Sequence, residues 1–222
     1  MYFLRKYRNF QTIKRKSSIC VFSAKSDAYG FFFFAFLDVA DLQPGLPGFV
    51  DHSHTSGYFL TSRGRHSVSV ILNALEYNCP QVQHCPQLYS LCSVARHYLS
   101  ELDTYKLMSC LVTSKQTTYL VQSRLQAEVT WRVTLELCQK LCKKYMGYLQ
   151  AESSKEEVEG LFQDCIWWVI EWLPFPHIVR IFDCFLVEGE KIFYRVCCAL
   201  ISLFTRRLKG KAEQRAYSSA TG

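Results

Sequence analysis

Two histidines, His52 and His54, and a second group made of Cys79, His84 and Cys85 are the densest set of side chains able to ligate metal or act as nucleophiles. Imidazoles and thiolates hold zinc or run covalent catalysis when their spacing lets them converge. Here no C-x-x-C pair anchors a site, and the intervals fit no familiar ligand pattern. The sequence therefore argues against an independent enzyme, and no metal or cofactor is expected. Arg180 and Asp183 stand three residues apart, which on a helix gives an intrahelical ion pair. Trp167, Trp168 and Trp172 lie in an apolar stretch, where aromatics fill a core and a hinge more readily than they form a stacking platform.

The elements that position these residues read as helices. Val68, Ile71, Leu72 and Leu75 recur at helical spacing, and the run stops near Asn78, ahead of Pro80. Leu88, Leu91, Cys92, Ala95 and Leu99 repeat the pattern, and Tyr105, Met108, Leu111 and Val112 mark a shorter helix. Val129, Val133, Leu137, Leu141 and Tyr145 recur every fourth residue, predicting one long amphipathic helix that ends around Gly147. The next stripe, Val158, Leu161, Phe162, Cys165, Ile166 and Val169, runs to Leu173, before Pro174. Pro176 suits a helical first turn, because its missing N–H is not needed there. The helix it opens buries Ile178, Ile181, Phe182 and Phe185 and stops at Gly189. A last helix with Ile192, Val196, Ala199, Leu200 and Leu203 fades into a basic, polar tail from Arg206. No alternation of comparable length suggests a strand, so the predicted class is all-α.

Charge and cysteine usage narrow the function classes. The chain of 222 residues carries 26 Lys and Arg against 19 Asp and Glu, a net charge of +7. Arg5, Lys6, Arg8, Lys14, Arg15, Lys16 and Lys25 fall in the first 25 residues, which contain no acid. The remainder is balanced at 19 basic and 19 acidic residues, so a general nucleic-acid role has little support. Eleven scattered cysteines, an odd number, mostly inside apolar stretches, read as free thiols in a reducing, cytoplasmic compartment. The densest apolar run, residues 31–37, is far short of the roughly 20 residues that a membrane-spanning helix needs. A solvated basic tail and a mitochondrial presequence are both compatible with the first residues.

From Cys165 to Phe204 the sequence becomes specific. The words Ile166, Trp167, Trp168; Leu173, Pro174; Arg180, Ile181, Phe182, Asp183; Phe185, Leu186, Val187, Glu188, Gly189; and Ala199, Leu200 resemble, in order and spacing, the TBC domain of Rab GTPase-activating proteins. The resemblance covers residues 46–208 and is nearest to the subgroup in which a TBC domain precedes a TLDc domain. It implies an all-α, multi-helix TBC domain over residues 41–208, a basic and aromatic segment over 1–40 without the family's opening helix, and a disordered tail over 209–222.

The resemblance also implies a partner and a chemistry. TBC domains insert an arginine, from an I-x-x-D-x-x-R-T word, and a glutamine, from a Y-x-Q word, into the active site of a Rab-type GTPase. The arginine offsets charge on the transferred phosphoryl group, and the glutamine orients the attacking water. In this chain His54 takes the arginine position and Pro86 the glutamine position, with Gln87 one residue along. Imidazole is short and mostly neutral near pH 7, and proline has no amide. The implied function is a Rab-binding module of vesicle traffic without catalytic residues; the alternative is an active GTPase activator. The subgroup's cationic pocket for phosphoinositide headgroups implies a membrane partner, with Arg180 the matching residue and with peripheral placement on vesicle or plasma membranes.

Overall fold

The computed structural model describes residues 45–53, 55–114 and 119–220, with side chains described to Arg207. His54 and the segment 1–40 lie outside the described residues.

Side-chain caps set where four of the helices begin. Thr61, Ser100, Ser123 and Ser154 each accept a hydrogen bond from a backbone N–H in the following turn, and Ser154 completes a reciprocal box with Glu157. The helices are α1 (Ser62–Asn78), α2 (Leu88–Arg96), α3 (Glu101–Thr113), α4 (Arg124–Leu141), α5 (Lys143–Glu152), α6 (Lys155–Gln163), α7 (Cys165–Ile170), α8 (Phe175–Glu188) and α9 (Lys191–Ala220). Among the described residues there is no strand, so the domain is all-α.

Two helical groups make up the core. In the first, α2 is buried on every side from Leu88 to Ala95, a pattern that only an interior helix can carry, and α1 and α3 pack against it. A polar seam ties the three together: Arg96 Nε donates to Ser67 Oγ at 3.0 Å, and Ser67 Oγ donates to Glu101 Oε2 at 2.8 Å. In the second group α9 is the strut, touching α4, α5, α7 and α8. Phe182, Phe185 and Phe193 form an aromatic run between α8 and α9, and Tyr119 meets Phe185 edge-on at 5.7 Å. The α8 boundaries fall where the sequence puts them, with Pro174 and Pro176 at the start and Gly189, at φ 71°, at the end.

Several expectations are corrected. The face of α4 that packs inward is Thr130, Thr134 and Cys138, while Leu125, Val129, Val133 and Leu141 are exposed. The buried set has the same spacing but is offset by one residue, which on a helix is a turn of about 100° away from the apolar stripe. Threonines can be buried here because Thr134 Oγ1 donates to the Thr130 carbonyl at 2.7 Å and Thr130 Oγ1 to Glu190 Oε1 at 2.9 Å. The helix breaks at Cys142, and Gly147 sits inside α5 rather than ending a helix. Likewise α6 and α7 are separate, divided at Asp164 (φ −99°, ψ 16°). Trp167 is core and Trp168 packs on Phe162 at 5.1 Å, but Trp172 is exposed. The last helix runs on to Ala220, and Lys, Ala, Glu, Gln and Arg in that stretch are strong helix formers. No helix among the described residues is long and apolar enough to cross a membrane.

Candidate functional site

The segments carrying positions 54 and 86 lie side by side. Phe49 and Val50 are buried, and the Phe49 carbonyl accepts the Cys85 amide at 2.8 Å. Gln83 and His84 donate their amides to the Gln122 carbonyl at 3.0 and 3.2 Å, which fixes this turn against the entry to α4. On the other segment Asp51 Oδ1 accepts from the Ser53 amide at 3.0 Å and from its hydroxyl at 2.6 Å, folding the residues just before His54 into a tight turn. The sequence thus brings its two candidate segments together, with His54 itself outside the described residues.

The electrostatics oppose acid and thiol chemistry at this place. Burial lowers the His84 imidazole, the Arg124 charge lowers it further, and Asp51 pulls the other way, so His84 is neutral at pH 7. Burial pushes the Cys85 thiol up to about 12, and the Cys79 thiol is also raised by burial. Protonated, enclosed thiols are poor nucleophiles and poor ligands.

Pro86 is buried, and Gln87 next to it is 0% exposed. Neither Gln87 Nε2 nor Oε1 has a hydrogen-bond partner. An unpaired buried polar group costs about 1–3 kcal/mol. Gln87 is therefore turned into the core, away from any surface a partner could reach.

The loop after position 54 has the opposite character. Tyr58 and Phe59 both take positive φ, 43° and 64°, the left-handed region that non-glycine residues occupy at a cost of about 1–3 kcal/mol each. Tyr58 is pinned on three sides. Its hydroxyl donates to the Ile170 carbonyl at 2.5 Å, its carbonyl lies 2.8 Å from His97 Nε2, and its ring rests on Phe175 at 5.6 Å. The turn is closed by the Leu60 amide on the Gly57 carbonyl at 2.9 Å. Phe59 is left 95% exposed. Sequence reasoning passed over Phe59, and the signal available, an aromatic pair directly after Gly57 in a loop, does not say which ring goes in.

Arg180 lies on the exposed side of α8 and forms no ion pair among the described residues. The expected pairing with Asp183 is not made, so the guanidinium is open to a ligand. No contact brings Arg180 to the two candidate segments; the link is indirect, through Phe175 at the start of α8 and Tyr58.

Comparison with known proteins places this architecture. The sequence profile described as the Rab-GTPase-TBC domain matches residues 45–209. The GTPase-activating protein skywalker of Drosophila melanogaster is 38% identical over 168 residues, covering 76% of this chain and 29% of that protein. TBC1 domain family member 24 of Xenopus laevis is 34% identical over 162 residues, 72% of this chain and 28% of its own length. The chain thus spans under a third of the curated relatives it matches. The crystal structure of the TBC domain of Skywalker/TBC1D24 from Drosophila melanogaster superposes with a TM-score of 0.77 at 33% identity, covering 88% of this chain and 64% of that one. The same domain in complex with inositol(1,4,5)triphosphate gives 0.75 at 36% identity, covering 81% of this chain and 63% of that one.

Proposed function

This chain belongs to the Rab-GTPase-TBC domain family, and on that premise we propose that it docks a Rab-type GTPase in vesicle traffic without accelerating GTP hydrolysis. The observation that carries the reading is the turn at positions 86 and 87. A buried proline stands at the expected glutamine position, and the neighbouring carboxamide is enclosed in the core. Neither Pro86 nor the enclosed Gln87 presents a carboxamide to a hydrolytic water. At the arginine position His54 lacks the permanent charge and the planar fork of a guanidinium. The next arginines along the chain, Arg63 and Arg65, follow in α1, and Arg65 is folded back onto the Leu60 carbonyl at 3.4 Å and Ser62 Oγ at 3.5 Å. An arginine finger contributes roughly 10³ to 10⁵ in rate, so its loss alone accounts for most of a catalyst's effect.

Phosphoinositide binding is the second element of the proposal. It is supported by the inositol(1,4,5)triphosphate complex of the Drosophila domain and by the unpaired, exposed Arg180 guanidinium, which suits bidentate phosphate contact. Peripheral association with vesicle or plasma membranes follows from it. Flotation of the chain with phosphatidylinositol bisphosphate vesicles tests the point: Arg180→Ala should lose retention, and equal retention would remove Arg180 from the site. The name of the Drosophila relative, a GTPase-activating protein, supports the alternative of an active regulator. Single-turnover hydrolysis by purified Rab proteins decides between the two.

A further inference from the structure

The loop 57–60 holds a large apolar ring in water by force. A flexible loop would let Phe59 fold down onto the surface, but here both neighbours are fixed, Tyr58 by its bonds to Ile170 and His97 and Leu60 by the turn to Gly57. Two successive non-glycine residues accept positive φ to keep that arrangement, and the ring they present is 95% exposed. Backbone strain sustained by surrounding contacts concentrates where a protein meets something else.

We propose that Phe59 is a preorganised apolar anchor that seats in a pocket of the GTP-loaded Rab-type partner, next to the segment carrying His54. The inference rests on the docking function proposed above and names a residue that would supply its affinity. An aromatic carried on a backbone that is already ordered is the kind of residue that contributes strongly to protein interfaces. A lipid bilayer is the other surface that would accept a ring, and the backbone stands against it. A fluid interface takes a side chain in any orientation and gains nothing from a strained, fixed loop. Docking by Phe59 needs no phosphoryl chemistry, which fits a chain whose finger positions are substituted.

The test uses the full chain, a panel of purified Rab GTPases loaded with a non-hydrolysable GTP analogue, and vesicles containing phosphatidylinositol bisphosphate. Affinities of the parent, Phe59→Ser and Phe59→Leu are measured for each. The serine variant should lose roughly tenfold or more of GTPase affinity while leucine retains most of it. Both should melt with the parent, because the ring contacts solvent. If the parent binds a GTPase and Phe59→Ser binds it equally well, the inference fails while the docking function stands. A loss confined to vesicles overturns it in favour of a lipid surface. A parent that binds no GTPase in the panel removes the docking function and the anchor together.

Discussion

The amino-terminal and carboxy-terminal parts of this domain differ in how completely their buried polar groups are answered. Around α4 and α9 the buried hydroxyls are all bonded: Thr130 to Glu190, Thr134 to the Thr130 carbonyl, and Thr205 to the Ile201 carbonyl at 2.8 Å. Around α1 and α2, Ser67 and Ser93 are bonded as well, but the Gln87 carboxamide is enclosed without a partner, and the loop ahead of α1 keeps two residues at positive φ. The carboxy-terminal part carries the sequence words that mark the family, and it is built as a scaffold. The amino-terminal part carries the segments that we propose meet a GTPase. Local rules are broken there, as happens where a structure serves something other than its own stability.

Substitutions can break or sharpen this contrast. The largest effect should come from the scaffold: Phe182→Ala or Phe185→Ala empties a fully enclosed aromatic site and should destabilise by about 3–5 kcal/mol in denaturant titration. If either cost less than Gln87 does, the carboxy-terminal part would not be the stabilising half. Gln87→Met should do the reverse and stabilise by about 1–3 kcal/mol, since it removes an unpaired amide at nearly constant volume. A destabilised variant would mean that the amide has a bonded partner. Tyr58→Phe deletes the hydroxyl that meets Ile170 and should cost about 1 kcal/mol, with faster proteolysis confined to the loop before α1.

The smallest effect is read in pH. Burial raises the Glu190 carboxyl above its ordinary 4.5, with the Thr130 hydroxyl bond opposing the shift. A raised acid is best tolerated while protonated. Its favourable share of stability is therefore present below pH 4.5 and is lost as pH rises through the higher folded value. Glu190→Gln should leave the melting temperature unchanged near pH 4 and raise it increasingly toward pH 7. A gain that does not vary with pH would place the effect in packing instead.

Much of the scaffold was legible because it is written in local chemistry. Pro174, Pro176 and Gly189 mark helix ends whatever packs on them, and α8 came out where those residues put it. The inward face of α4 was not legible, because Thr130 and Thr134 become acceptable in a core only once Glu190 and a backbone carbonyl answer them. The breaks at Cys142 and Asp164 have no proline or glycine to announce them. Trp172 reads as core by type and is exposed by position. At the candidate site the spacing of words pointed to positions 54 and 86. The inward turn of Gln87 and the outward turn of Phe59 depend on backbone angles that no residue type dictates.

The most direct test of the central claim is single-turnover GTP hydrolysis by a panel of purified Rab proteins, with and without a saturating amount of this chain. A docking module with histidine and proline at the finger positions should leave each rate at its intrinsic value, while still competing for the GTP-loaded Rab that it binds. Acceleration of any one Rab by roughly 10³-fold or more would require a finger that His54 and Pro86 cannot supply, and would contradict the account.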